Sequence, residues 1–96
     1  MQTDREELSP KAKARRAPHV PGVYLMKDAQ GRVIYVGKAT SLRARVRSYF
    51  QSSRDMHVRT RTMVSKVADF DTISTDSEME ALMLESNLIK KHRPVF

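Results

Sequence analysis

The stretch that decides the fold is GVYLMKDAQGRVIYVG, residues 22–37. It contains two short apolar runs rich in β-branched and aromatic residues, Val23–Met26 and Val33–Val36. The residues between them, Asp28–Gly31, are typical of a turn. Two such runs joined by a short turn predict an antiparallel β-hairpin.

The register of this hairpin decides where its two tyrosines lie. If residues 29–30 form a two-residue loop, Tyr24 lies directly opposite Tyr35 on the same face of the sheet. A bulge at Gly31 would instead shift the pairing by one residue and separate the two rings. We expect the paired arrangement.

The rest of the chain predicts four helices and one more strand. Caps and apolar spacing place a short helix after Asp4 or Ser9, a helix from Thr40 or Ser41 to about Phe50, a helix from Asp55 to about Ala68, a strand over Phe70–Ser74, and a helix from Ser77 to about His92. We therefore expect a small α/β domain of the α+β type, with a three-stranded antiparallel sheet flanked by helices. Residues 1–96 form one domain in this interpretation, with 1–17 as a lead-in and 18–96 as the core.

The charge of the chain points to a polyanionic partner. The 96 residues carry 18 Lys and Arg against 11 Asp and Glu, a net charge of +7. Nine basic residues fall between positions 32 and 66, against the single acid Asp55: Arg32, Lys38, Arg43, Arg45, Arg47, Arg54, Arg59, Arg61 and Lys66. Such a domain usually binds nucleic acid, although a solvated basic helix surface gives the same count.

Several classes of protein are excluded by what the sequence lacks. It has no cysteine, which excludes a disulfide framework and a Cys-based zinc site and fits a reducing compartment. No apolar run approaches the roughly 20 residues of a membrane span, and the polar N-terminal residues do not resemble a secretory signal. We expect a cytoplasmic protein and a monomer.

Glu85 breaks the apolar pattern of the last helix. At about 100° per residue, an apolar stripe forms, and Glu85 falls in its middle; the stripe consists of Ala81, Leu82, Leu84, Leu88 and Ile89. A desolvated and unpaired carboxylate in that position would cost several kcal/mol. Glu85 is therefore expected to pair with an arginine, to accept hydrogen bonds, to lie at a cleft, or to bind a metal ion.

Tyr24 and Tyr35 could be ordinary core aromatics, but their neighbours suggest chemistry. Lys38 follows where a strand would give way to a helix, and Arg45 lies one helical turn before Tyr49. Phosphodiester hydrolysis needs a proton acceptor for the nucleophile, cations for the transition state, and help for the leaving group. Phenols, an Arg/Lys pair and a metal-bound carboxylate can supply these roles, although a tyrosine base with a pKa near 10 needs nearby cations.

Four segments of the chain, in this order, resemble the GIY-YIG endonuclease domain of the UvrC family, a component of the UvrABC excinuclease: Gly22–Tyr24, Tyr35–Ala39, Leu42–Tyr49 and Leu84–Pro94. The resemblance covers about residues 18–96. It implies the GIY-YIG nuclease fold and an incision on the 3′ side of a DNA lesion during nucleotide excision repair. The implied partners are damaged double-stranded DNA and the UvrB protein of the same system, whose contact region would lie mostly outside this chain.

The same resemblance assigns the catalytic residues: Tyr24, Tyr35, Lys38, Arg45, Tyr49 and Glu85. It implies that Glu85 is the single protein ligand of one Mg²⁺ or Mn²⁺ ion, which is otherwise coordinated by water. Either Tyr35 or Tyr24 would take the proton of the attacking water, and Tyr49 would help the leaving 3′ oxygen. Lys38 and Arg45 would neutralise the phosphate, and we predict that Arg43 and Arg47 also bind DNA phosphate.

The family also has features beyond this chain. It places a functional asparagine directly after the Arg-Pro-x-aromatic run, here Arg93–Phe96, and its proteins are several times longer. We expect weak activity from these residues alone. Two rival hypotheses stay open, a DNA-binding module without catalysis and a basic RNA- or ribosome-associated protein. Glu85 favours the nuclease, because a pure phosphate binder has no use for a carboxylate in a basic site.

Overall fold

The computed structural model describes residues 9–51 and 56–96. Seven elements follow one another in these ranges: α1 (Pro10–Ala14), β1 (Gly22–Lys27), β2 (Val33–Ala39), α2 (Leu42–Tyr49), α3 (Val58–Ser65), β3 (Asp69–Ser74) and α4 (Glu78–His92). The strands form one antiparallel sheet in the order β2-β1-β3. The predicted fold class and element order are confirmed. None of the helices described here is long and apolar enough to cross a membrane.

Serine side chains begin three of the helices. Ser9, Ser41 and Ser77 each accept a hydrogen bond from the backbone N–H three residues further on. Each is one of the caps that the sequence predicts. The alternative cap Asp4 lies outside the described residues.

Helix α3 is shorter than the sequence predicts. It begins after His57, whose ring nitrogen accepts a hydrogen bond from the Arg59 backbone N–H, and it ends at Ser65. The predicted end at Ala68 is wrong. Ala68 directly precedes β3, and its backbone N–H donates to the carbonyl of Lys27 in β1. The predicted start at residue 55 lies outside the described residues.

The hairpin does not pair as predicted. Tyr24 lies opposite Gly37 and Met26 lies opposite Tyr35, so the register differs by two residues from the expected one. The direct pairing of Tyr24 with Tyr35 is therefore wrong. The two side chains nevertheless lie on the same face, and their ring centroids are 6.0 Å apart.

Two irregularities of one residue each explain this register. The backbone N–H of Asp28 donates to the Arg32 carbonyl and Gly31 has a φ of 80°, so the turn has three loop residues instead of two. A β-bulge follows, since the pairing skips Ile34. One shift alone would turn Tyr35 to the opposite face, and the second shift returns it to the face of Tyr24.

The two faces of the sheet form separate cores. On one face, Tyr24 and Phe70 belong to a cluster with Leu42 and Val46 of α2. On the other face, the buried side chains of Val23, Leu25, Val36 and Ala81 pack with the half-buried Leu84 and Leu88 of α4. Strand β2 lies at one edge of the sheet, with α2 on one of its faces and α4 on the other.

Helix α4 is rotated relative to the stripe that the sequence predicts. Leu82 and Ile89 are 45% and 41% exposed, so the buried stripe is narrower than expected and is centred on Ala81, Leu84 and Leu88. Glu85 is half-buried at the margin of this stripe. Its predicted position in the middle is wrong, because it depended on counting Leu82 and Ile89 as core residues.

Candidate active site

Three tyrosines from three elements meet beside the edge strand β2. They are Tyr24 of β1, Tyr35 of β2 and Tyr49 at the end of α2, and their ring centroids lie 5.7–6.5 Å apart. The hydroxyl oxygens of Tyr24 and Tyr49 are 2.7 Å apart, in a hydrogen bond that either can donate. Tyr24 is only 1% exposed, whereas Tyr35 and Tyr49 are half-buried. The tyrosine cluster therefore has one buried member and two that solvent can reach.

Gly37 makes room for this cluster. It lies opposite Tyr24 in the hairpin, and a Cβ atom added to it would overlap the Tyr24 ring and hydroxyl. A glycine at position 37 is thus required by the close approach of the Tyr24 ring.

Burial raises the pKa of Tyr24 and of Tyr35 above the ordinary tyrosine value. The neighbouring Tyr49 adds to the rise at both residues. Arg45 acts to lower the pKa of Tyr24, and the Glu85 carboxylate acts to raise the pKa of Tyr35. These charge effects show that Arg45 and Glu85 both lie within electrostatic reach of the tyrosine cluster.

Lys38 and Arg45 line one cavity of about 110 Å³ between β2, α2 and α4, together with Ala39, Thr40, Glu78 and Ala81. Lys38 does not follow the end of β2 as predicted, because the strand continues to Ala39 and Lys38 pairs with Val23. Neither cation forms an ion pair within residues 9–51 and 56–96. Both charges are therefore available to an anionic ligand.

Glu85 lies one helical turn after Ala81, which borders this cavity. In the part of the chain that the structure describes, its carboxylate forms no ion pair, so the pairing with an arginine that the sequence allowed is not found there. The same residues contain no group of three or more His, Cys, Asp or Glu that could hold a metal ion. Glu85 is thus a carboxylate without an ion-pair partner among the described residues, within electrostatic reach of Tyr35.

Arg43 and Arg47 lie apart from this site. The Arg43 Nε atom donates a hydrogen bond of 2.6 Å to the Ala17 carbonyl, which ties α2 to the segment before β1. Arg47 is exposed and lines another cavity with residues of and next to α1. Arg43 and Arg47 each lie about 200° from Arg45 around the helix, so they are on the opposite side of α2 from Arg45.

Arg59 is an additional residue at the tyrosine cluster. It lines a second cavity of about 110 Å³ with Tyr35, Tyr49, Thr60, Met63 and Phe96. In the sequence it stands out only as one member of the basic stretch. Its position beside the tyrosines depends on how α3 packs, which no local pattern predicts.

The fold and the site define a class: a small α+β domain whose polar centre combines phenols, cations and carboxylates, a set suited to phosphodiester chemistry. The sequence model of the UvrC-like GIY-YIG domain family matches residues 20–96. The chain belongs to this family.

Full-length relatives agree with this assignment. The UvrABC system protein C of Caldicellulosiruptor saccharolyticus is 57% identical over 89 residues, which cover 93% of this chain and 15% of that protein. The UvrABC system protein C of Desulfitobacterium hafniense is 62% identical over 79 residues, which cover 82% of this chain and 13% of that protein. The chain thus spans only 13–15% of the length of these relatives.

Solved structures show the same fold. The GIY-YIG N-terminal endonuclease domain of UvrC from Thermotoga maritima, bound to its catalytic magnesium, superposes with a TM-score of 0.80 at 38% identity, covering 90% of this chain and 92% of that one. Three point mutants of that domain, each with one tyrosine replaced by phenylalanine, are also bound to the catalytic divalent cation.

Proposed function

We propose that this chain is a divalent-metal-dependent endodeoxyribonuclease domain that makes the incision on the 3′ side of a lesion in nucleotide excision repair. One observation carries the proposal: the solitary carboxylate of Glu85 acts on Tyr35 and lies one turn from the cavity lined by Lys38 and Arg45. The substrate is damaged double-stranded DNA. We place this single domain, residues 1–96, in a cytoplasmic UvrABC system, as a monomer whose contact with the UvrB protein lies mostly elsewhere.

Glu85 is the residue that would hold the one Mg²⁺ or Mn²⁺ ion. A solitary carboxylate suits Mg²⁺, which usually keeps several waters and binds through one or two carboxylates. A bound ion supplies Lewis acidity toward phosphoryl oxygens and lowers the pKa of water. The tyrosine mutants of the Thermotoga maritima domain that hold the cation support a carboxylate, not a phenol, as the protein ligand.

Tyr35 is our choice for the group that accepts the proton of the attacking water. It is half-buried and feels the Glu85 charge, whereas Tyr24 is 1% exposed and hydrogen-bonds to Tyr49. Neutralising the Glu85 charge would remove one of the effects that raise the pKa of Tyr35. Tyr24 then serves to orient the Tyr49 hydroxyl, which can donate to the leaving 3′ oxygen.

Lys38 and Arg45 would neutralise the phosphate at the cut. They line one cavity, and preorganised cations aimed at developing charge are a large source of rate enhancement. The exposed Arg47 would bind phosphate further along the DNA. Arg43 could use only its terminal nitrogens for this, because its Nε atom donates to Ala17.

A pair of matched substitutions on α4 tests the proposal. Glu85→Gln and Glu78→Gln each remove one carboxylate charge, and Glu78 lines the cavity of Lys38 and Arg45. Mn²⁺ binding, followed by electron paramagnetic resonance, and Mn²⁺-dependent nicking of damaged duplex DNA should both be lost in Glu85→Gln and kept in Glu78→Gln. Wild-type Mn²⁺ binding and nicking by Glu85→Gln would refute the proposal. A DNA-binding module without catalysis predicts no Mn²⁺-dependent nicking by any of the three proteins.

A further inference from the structure

The second cavity at the tyrosine cluster combines an arginine with three side chains that carry a hydroxyl group. Its polar lining consists of the Arg59 guanidinium, the Tyr35 and Tyr49 phenols and the Thr60 hydroxyl, and its apolar wall consists of Met63 and Phe96. None of the described side chains that line it is a carboxylate. A cationic fork beside hydroxyl donors suits a phosphate group.

Arg59 is free to take such a ligand. Its side chain is exposed, and it forms no ion pair with any other residue that the structure describes. Its own backbone N–H is held by the His57 ring, which fixes the start of α3 and hence the position of Arg59 beside the tyrosines. The guanidinium is therefore a charge without a partner among the described residues.

We propose that Arg59 is a positioning residue for DNA, and that beside Tyr35 and Tyr49 it binds the backbone phosphate next to the one that is cut. This inference rests on the proposed nuclease function. The cavity of about 110 Å³ is far smaller than the roughly 300 Å³ at which pockets for drug-sized ligands begin, so it fits one phosphate and no nucleoside.

The place of the cavity indicates a neighbouring phosphate. It shares no lining residue with the cavity of Lys38 and Arg45, yet Tyr49 borders it and lies one turn from Arg45 on α2. The rings of the tyrosine cluster are 5.7–6.5 Å apart, and Arg45 acts electrostatically on Tyr24 of this cluster, so both sets of cations adjoin it. Two successive phosphates of one strand would thus meet Arg45 and Arg59.

Arg61 provides a control of equal charge. It is two residues further along α3, about 200° around the helix. It lines the wider cavity between α3 and α1, with Ser9, Pro10 and Lys11; Tyr49 also borders that cavity, whereas Tyr35 and Arg59 do not. Arg59→Gln and Arg61→Gln therefore remove the same charge from opposite faces of one helix.

The decisive experiment combines these variants with a neutralised phosphate. Sites of Mn²⁺-dependent nicking are mapped on a short duplex, and an uncharged methylphosphonate is placed at either linkage flanking a mapped cut. We expect Arg59→Gln to slow nicking about 10- to 100-fold, and one of the two methylphosphonates to slow the wild type similarly. Arg59→Gln combined with that methylphosphonate should slow nicking no more than either change alone. The effects of Arg61→Gln and of the methylphosphonate on the nicking rate should instead add. Arg59→Lys should recover part of the rate.

If the losses of nicking rate from Arg59→Gln and from the methylphosphonate add at both flanking linkages, the inference is overturned. If the wild type shows no Mn²⁺-dependent nicking, the proposed nuclease function fails, and DNA affinity in EDTA then decides the role of Arg59 separately. The slope of log affinity against log salt should fall by about one in Arg59→Gln and by clearly less in Arg61→Gln. Equal slopes in the two variants would refute a specific phosphate contact. Unchanged thermal melting of each variant shows that the fold is intact.

Discussion

The two edges of the sheet use charged side chains in opposite ways. Beside β3 the charges are paired: Lys13 Nζ is 3.1 Å from an Asp69 oxygen, and Lys27 Nζ is 2.8 Å from an Asp71 oxygen. Beside β2, three charged residues form no ion pair within the two described ranges, namely Lys38, Arg45 and Glu85.

The paired charges beside β3 stabilise the fold, whereas those beside β2 have no ion-pair partner in the described ranges and are available to a ligand. Lys13 also donates to the Phe70 carbonyl and lies 5.1 Å from the centroid of the Phe70 ring, so it docks α1 against β3. Such exposed ion pairs contribute little free energy individually. The net charge of +7 cannot distinguish the two kinds of residue, whereas their pairing can.

The largest effect on nicking is expected for substitution of Arg45, compared with substitution of Arg47, which lies apart from the site on the same helix α2. Arg45→Ala should lower the nicking rate constant about 10²- to 10³-fold with little change in DNA affinity, because we propose that Arg45 acts on the transition state. Arg47→Ala should mainly weaken binding and reduce its salt dependence by about one phosphate contact. Single-turnover nicking and fluorescence anisotropy measure the two effects. A loss of affinity without a loss of rate in Arg45→Ala would contradict this contrast.

The next largest effect on nicking should distinguish Tyr35 from Tyr24. Tyr35→Phe should slow nicking about 10²-fold, the lower end of what general acid–base catalysis contributes. Tyr24→Phe removes one buried hydrogen bond to Tyr49, so a loss of about 10-fold or less is expected. Mn²⁺ affinity should be unchanged in both variants. The opposite ranking of the two rates would make Tyr24 the proton acceptor.

A glycine substitution tests whether the tyrosine cluster needs its packing. Gly37→Ala forces a Cβ atom into the Tyr24 ring, so the free energy of unfolding should fall by about 1–3 kcal/mol and nicking should fall with it. Gly31→Ala is strained by its φ of 80° at the hairpin tip and should cost about 1 kcal/mol without slowing nicking. Urea unfolding and nicking assays of both variants make the comparison. Full activity of folded Gly37→Ala would show that the cluster tolerates displacement.

The smallest effect is expected at the β3 edge. Lys13→Met should lower the free energy of unfolding at pH 7 by about 1 kcal/mol or less and leave nicking unchanged. Partial burial acts to raise the pKa of Asp69, but the hydrogen bonds from Lys13 and the Phe70 backbone and the charges of Lys13 and Lys27 together outweigh it, so the pKa is lowered overall. The stability from this pair is therefore present above the ordinary aspartate pKa of about 3.9 and is lost as the pH falls through the lowered value. The difference between wild type and Lys13→Met should shrink in acid, and a pH-independent difference would exclude the Asp69 pair as its source.

Local signals in the sequence predict most of the fold. Ser9, Ser41 and Ser77 begin helices because a cap needs only its own side chain and the next turn. The hairpin register is less accessible, because it depends on a three-residue turn and on a bulge at Ile34, and only the turn has a sequence signal, Gly31. The turn and the bulge each shift the pairing of the strands by one residue. Because side chains alternate between the two faces of a sheet, the two shifts together leave Tyr24 and Tyr35 on the same face, as predicted, although the two residues are not paired.

The sequence indicates that Tyr24 and Tyr35 lie together, but it does not predict the surroundings of the candidate site. The apolar stripe of α4 places Glu85 near the core, yet periodicity cannot tell which side of the stripe the sheet covers, and Leu82 and Ile89 are left exposed. Arg59 is not predicted, because its contact with the tyrosine cavity arises from tertiary packing of α3.

The central claim is that Glu85 alone among the protein's side chains holds the catalytic ion beside the tyrosine cluster. The most direct measurement is anomalous diffraction from crystals of this chain soaked with Mn²⁺. We predict one anomalous peak at bonding distance, about 2.1 Å, from a Glu85 carboxylate oxygen, with water completing the coordination. Density absent from Glu85, or centred on Glu78 instead, would contradict the account.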